Sequence, residues 1–147
     1  MRHAGASASQ ARRRLVDDLA HLGIPREAIQ DAALVLSEMV GNAVRYARPL
    51  PGNVLLATWE HANGRLLLRV TDGGGRGQPK VQEAGPFDTR GRGLAIIDAV
   101  AAAWGVKRRG AGIARSSTVW AELWTGSAGR RSAGAVAAKS GGRHSPG

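Results

Sequence analysis

The chain has 147 residues, a formal net charge of +10 and no cysteine. That length supports one domain with a real core, not two. The missing thiols exclude disulfides and thiolate metal sites and make the cytoplasm the expected location. No apolar run is long enough to span a bilayer, and Met1 to Ser7 lack the apolar core of a secretory signal. The positive charge raises nucleic acid as a partner class. However, Arg130, Arg131, Lys139 and Arg143 lie in the acid-free stretch 126–147. This Gly/Ala/Ser-rich stretch lacks the apolar surface needed to fold and is expected to be a disordered tail behind a domain spanning 8–125. Nucleic-acid contact is therefore expected only non-specifically, through the tail. The aromatic content of 4% offers few platforms for stacking bases.

The first predicted element is a helix over residues 8–22, with Ala11, Leu15, Leu19 and Leu22 at helical spacing. Gly23 ends it, and Pro25 is suited to begin the next. A second helix is predicted over 26–47, with Ile29, Ala33, Leu36, Val40, Ala43 and Ala47 as its apolar stripe. Glu38 lies opposite that stripe, and Asn42 and Arg45 follow it along one edge. Such an edge reads either as a solvated face or as a set of ligands. Pro49-Leu50-Pro51-Gly52 stops the helix.

Two strands are predicted next, Val54 to His61 and Arg65 to Asp72, joined by the hairpin signal Asn63-Gly64. Period-two counting puts Asp72 on the apolar side with Leu66, Leu68 and Val70. A carboxylate continuing a buried face needs a partner; the alternative is a strand-end Asp in a turn with the glycines that follow. Residues 73–90 form a loop of lid or binding-loop length. Leu94 to Ala103 reads as a third helix. Val106 to Arg109 and Ser116 to Trp124 read as strands joined at Gly110 to Gly112. Helices grouped before and between strand pairs do not give a βαβ alternation. The expected class is α+β: a two-layer sandwich with helices on one face of a mixed, mostly antiparallel sheet.

Three segments carry chemistry. Glu38 and Asn42 combine a proton acceptor with a neutral oxygen ligand, and magnesium prefers oxygen ligands completed by phosphates. Asp72 can accept a hydrogen bond from an exocyclic amino group, with Gly73 and Gly74 admitting a ring close to the backbone. Gly91-Arg92-Gly93 is read as opening a helix, where exposed amides favour phosphate.

Together these segments resemble the GHKL, or Bergerat-fold, ATPase superfamily, and within it the small anti-sigma-factor serine/threonine kinases. Leu34 to Ala47 looks like the N-box, Val70-Thr71-Asp72-Gly73 like the adenine-binding strand end, and Gly91 to Ala99 like the second glycine box. Ala103-Trp104-Gly105-Val106 and Ser117 to Leu123 look like the closing strands. The resemblance implies Glu38 as general base and Asn42 as the Mg²⁺ ligand. It implies Asp72, supported by Thr118, as the adenine reader. Gly74, Gly91, Arg92, Gly93 and Leu94 would complete the ATP site, and the loop between Gly73 and Arg90 would be the lid. It further implies a sigma factor as one partner, a STAS-domain anti-sigma-factor antagonist as phosphorylation substrate, and a homodimer as found among relatives.

Three positions depart from the family pattern: Tyr46 replaces the frequent N-box histidine, Arg76 stands at the last glycine of the first box, and no strand is expected before the first helix. A non-catalytic nucleotide-binding partner switch and a basic nucleic-acid-binding module are the alternative readings.

Overall fold

The computed structural model describes residues 2–75, 89–126 and 132–139. Helix α1 (Arg2–His21) is longer than its apolar stripe predicts, because the alanine-rich segment before Ala8 contains no proline and continues the helix. Ala11, Leu15 and Leu19 are fully buried, and burying each leucine contributes about 1.5–3 kcal/mol. That outweighs the cost of about 1 kcal/mol for Gly5 within the helix. Helix α2 (Arg26–Tyr46) buries Ala32, Ala33, Val35, Leu36, Met39, Val40 and Ala43, the predicted stripe widened by one column.

Strands β1 (Val54–Ala62) and β2 (Arg65–Asp72) form the expected hairpin, with Asn63 and Gly64 both at positive φ as such a turn requires. Helix α3 (Thr89–Val100), β3 (Ala103–Arg109) and β4 (Ser116–Trp124) follow. A last strand, β5 (Ser132–Lys139), completes a five-stranded sheet of order β3-β4-β2-β1-β5. Every ladder is antiparallel among the described residues, which fits the mostly antiparallel sheet expected.

Within the tail expected to be disordered over 126–147, the expectation is corrected over Ser132–Lys139, which form β5 and pair along β1 from Val54↔Lys139 to His61↔Ser132; residues 127–131 and 140–147 lie outside the described residues. The cause is not its own propensity, since alanine and glycine are poor strand formers. An edge strand presents a row of backbone donors and acceptors, and β5 satisfies those of β1. At the end of β4 the Thr125 N–H donates to the Gly64 carbonyl of the β1–β2 hairpin at 2.8 Å.

One sheet face is buried against the helices. Ala57, Val70 and Val119 lie side by side across three strands, as do Trp59, Leu68 and Ala121. With Leu55, Leu66 and Leu123 they form the core with α1, α2, Leu94 and Ile97. Trp59 also donates from Nε1 to Asp18 Oδ2 at 3.1 Å, fixing α1 over β1. The opposite face carries exposed pairs, Arg65–Glu122 at 3.2 Å and Arg69–Glu60 at 3.4 Å, which contribute little to stability in solvent.

Candidate functional site

The polar edge of α2 is half-buried at Glu38 and Asn42 and exposed only at Arg45. Helix α3 packs against it, and its Gly93 is buried there. A Cβ on Gly93 would stand 3.0 Å from both Glu38 Oε2 and Asn42 Oδ1, and 3.1 Å from Asn42 Nδ2. Only a residue without a side chain lets α3 approach this pair so closely. Residues expected from two separate motifs, Glu38 and Asn42 from one and Gly93 from the other, therefore meet at one point. Asn42 Oδ1 is buried without a hydrogen-bond partner among the described residues. A buried acceptor left unpaired is costly, and a neutral amide oxygen is a fitting magnesium ligand.

The first α3 turn differs from expectation. The helix begins at Thr89, so Gly91 lies within the first turn instead of opening the helix, and Gly93 lies beyond it. The amide of Gly91 is among those a helix start leaves unpaired, whereas that of Gly93 is positioned for the internal ladder. Gly93 thus serves by its missing Cβ rather than by its N–H. Leu94, expected at the ligand, is a core side chain with 2% exposure. The side chains of Arg90 and Arg92 and most of the expected lid, including Arg76, lie outside the described residues.

Asp72 ends β2 on the buried side, as its parity predicts, with 6% exposure. Burial pushes its carboxyl up from 3.8 to about 6, and the Gly74 N–H, donating to Oδ1 at 2.7 Å, pulls the other way. Gly74 sits at φ +83°, the left-handed turn that returns its amide to the carboxylate.

Thr118 is not the neighbour of Asp72. The β2–β4 register pairs Asp72 with Ser117 and Thr71 with Thr118. The two threonine hydroxyls bond each other at 2.8 Å on the opposite face of the sheet. Facing residues share a side and consecutive residues alternate, so Ser117 is the residue beside Asp72. The parity of Ala121 and Leu123 extends to Ser117 and carries that signal in the sequence.

Gly73 also has a different task from the one expected. Its N–H donates to the Arg48 carbonyl at 2.7 Å, and the Arg48 N–H donates to the Gly74 carbonyl at 2.8 Å. A Cβ on Gly73 would collide with the Pro49 carbonyl oxygen. With the bridge between Ala47 and Gly75, this backbone stitch ties the end of α2 to the end of β2. It fixes Asn42 relative to Asp72. Beyond Asp72 lies a cavity of about 350 Å³, floored by Gly74 and Ser117 and bordered by Arg108 and Arg115. That volume is in the range of small-molecule sites.

A helix edge bearing an amide and a carboxylate is tied through the backbone to a sheet end that carries a buried aspartate, within an α+β domain. The chain belongs to the histidine kinase-like ATPase domain family, whose pattern matches residues 2–115. It is therefore a member of the GHKL superfamily, and the family's ligand is ATP. Comparison with curated proteins finds no match. No helix among the described residues is long and apolar enough to cross a membrane.

Proposed function

We propose that this protein is an ATP-dependent serine/threonine protein kinase of the anti-sigma-factor type. It binds a sigma factor and phosphorylates a STAS-domain antagonist of that factor. The observation that carries the reading is the convergence of Glu38 Oε2, Asn42 Oδ1 and the bare Cα of Gly93.

Asp72 accepts a hydrogen bond from the adenine amino group, which places the base at the end of β2. Asn42 holds Mg²⁺ through its unpartnered oxygen. When bound, Mg²⁺ neutralises charge on the phosphates, where phosphoryl transfer depends on positioning and electrostatics. Glu38, one turn away on the same edge, accepts the proton of the incoming serine hydroxyl. The serine oxygen then bonds to the γ-phosphorus as the bond to ADP breaks, leaving phosphoserine and ADP. Helix α3 packs over this end of the site and leaves Glu38 half-exposed to an incoming hydroxyl.

The test is phosphate transfer from ATP to a candidate STAS antagonist by wild type and by Glu38→Ala, with ATP binding measured on both. Transfer by wild type alone, with ATP still bound by the variant, supports the kinase. ATP binding without transfer to any serine-bearing antagonist favours the non-catalytic partner switch. Equal transfer by both proteins removes Glu38 from the chemistry.

A further inference from the structure

The cavity beyond Asp72 has a chemistry that base recognition does not require. Its floor is Gly74 and Ser117, both buried, and its mouth is formed by Arg108, Arg115 and Ser116. The β3–β4 register sets Arg108 directly across from Ser117, on the face that carries Asp72. Arg115 directly precedes β4. Its stem lies over Gly74, where an added Cβ would stand 2.7 Å from Cδ and 3.3 Å from Cγ. The guanidinium is thereby carried past Gly74 to the cavity mouth.

Neither arginine is committed to Asp72. An adjacent cation lowers a carboxyl pKa, whereas that of Asp72 is pushed up to about 6 by burial. The Arg115 guanidinium enters neither the Arg65–Glu122 nor the Arg69–Glu60 ion pair. No carboxylate among the described residues lines the cavity. Lys107 and Arg109 flank Arg108 along β3 and add to the positive potential.

We propose that this cavity is an anion-binding site, distinct from the Asn42–Gly93 end of the nucleotide site. It takes a phosphate or carboxylate group between the guanidiniums of Arg108 and Arg115, with the hydroxyls of Ser116 and Ser117 as further donors. Guanidinium forks match such groups with paired, charge-assisted hydrogen bonds. The anion is either free in solution or borne on a phosphorylated side chain.

The experiment is amide-resolved NMR of the full chain, titrated with inorganic phosphate at constant ionic strength. The amides of Gly74, Gly110, Ser116 and Ser117 should shift together and saturate in the millimolar range, the affinity of a small anion at two cations. The Arg108→Gln/Arg115→Gln double variant should raise the midpoint at least about tenfold, the loss expected for charge-assisted bonds. Arg115→Lys, which keeps the charge without the fork, should weaken binding several-fold and guards against a double variant that does not fold. Asn42→Ala should keep the wild-type midpoint.

O-phospho-L-serine run in parallel distinguishes the sources. Binding tighter than phosphate assigns a phosphorylated side chain, and equal or weaker binding assigns the free anion; both uphold the site. Midpoints that ignore the arginine substitutions overturn it, as do shifts confined to Gly91–Leu94 that vanish in Asn42→Ala. ATP titrated into the same wild-type sample reports on the nucleotide site, so a failure there is separable from a failure here.

Discussion

Asp72→Asn should make the ligand-free protein more stable at neutral pH while weakening ATP binding. The wild-type carboxyl has its folded pKa raised from 3.8 to about 6. A raised acid pKa means that the fold favours the protonated form. The stability that this provides is complete below about pH 4 and is lost as pH rises through about 6. At pH 7.5 the folded protein therefore holds an ionised, buried carboxylate at a cost of about 3 kcal/mol. Asparagine removes the charge yet keeps an oxygen to accept the Gly74 N–H, which now bonds Asp72 Oδ1 at 2.7 Å. At pH 7.5 the variant should melt roughly 5–10 °C above wild type, and near pH 4 the two should nearly coincide. Differential scanning fluorimetry at both pH values measures the first effect. Calorimetric titration with ATP measures the second, where replacing an ionised acceptor should cost about 1–3 kcal/mol of affinity. An Asp72→Asn protein destabilised to the same degree at both pH values would refute the argument that burial controls this carboxyl.

Gly93→Ala places a methyl group against Asn42 and Glu38 but gains about 1 kcal/mol of helix propensity. The steric cost of contacts at 3.0–3.1 Å opposes that gain, and ATP affinity should fall at least about tenfold; unchanged affinity in a binding titration would count against the close-approach role. Ser117→Ala should weaken ATP binding and Thr118→Val should not, because only Ser117 shares the face of Asp72; the reverse pattern in a binding titration would restore Thr118. Ending the chain at Gly126 removes β5 and bares the edge of β1. The shortened protein should melt lower and self-associate with concentration by light scattering, since open edges recruit other strands; an unchanged, monodisperse protein would show that β5 contributes nothing.

The elements written in local periodicity were legible. The α2 stripe, the β1–β2 hairpin and the buried parity of Asp72 each follow from residues close in sequence, where the helical and strand repeats are fixed by backbone geometry. The same holds for placing Glu38 and Asn42 on one edge. Even the α+β class followed from the order of elements, because short antiparallel connections need no crossover helix.

What the sequence could not determine were the meetings between distant segments. The edge of α2 read equally as a solvated face until α3 was seen to pack against it, and Gly93 looked like a phosphate amide until its distance to Asn42 was known. The resemblance implied Thr118 beside Asp72, whereas the structure puts Ser117 there, because strand register is decided by pairing and a slip of one residue exchanges the two faces. The strand character of Ser132–Lys139 is absent from its composition, since an unpaired edge elsewhere in the fold supplies its reason to extend. Gly73 serves the Arg48–Pro49 backbone, and Arg115 reaches Gly74, only because the chain returns there. The sequence by itself determined which groups are present and which face of each element they occupy. The tertiary structure decided which of those groups share a site, because close packing and backbone pairing join residues that no local repeat relates.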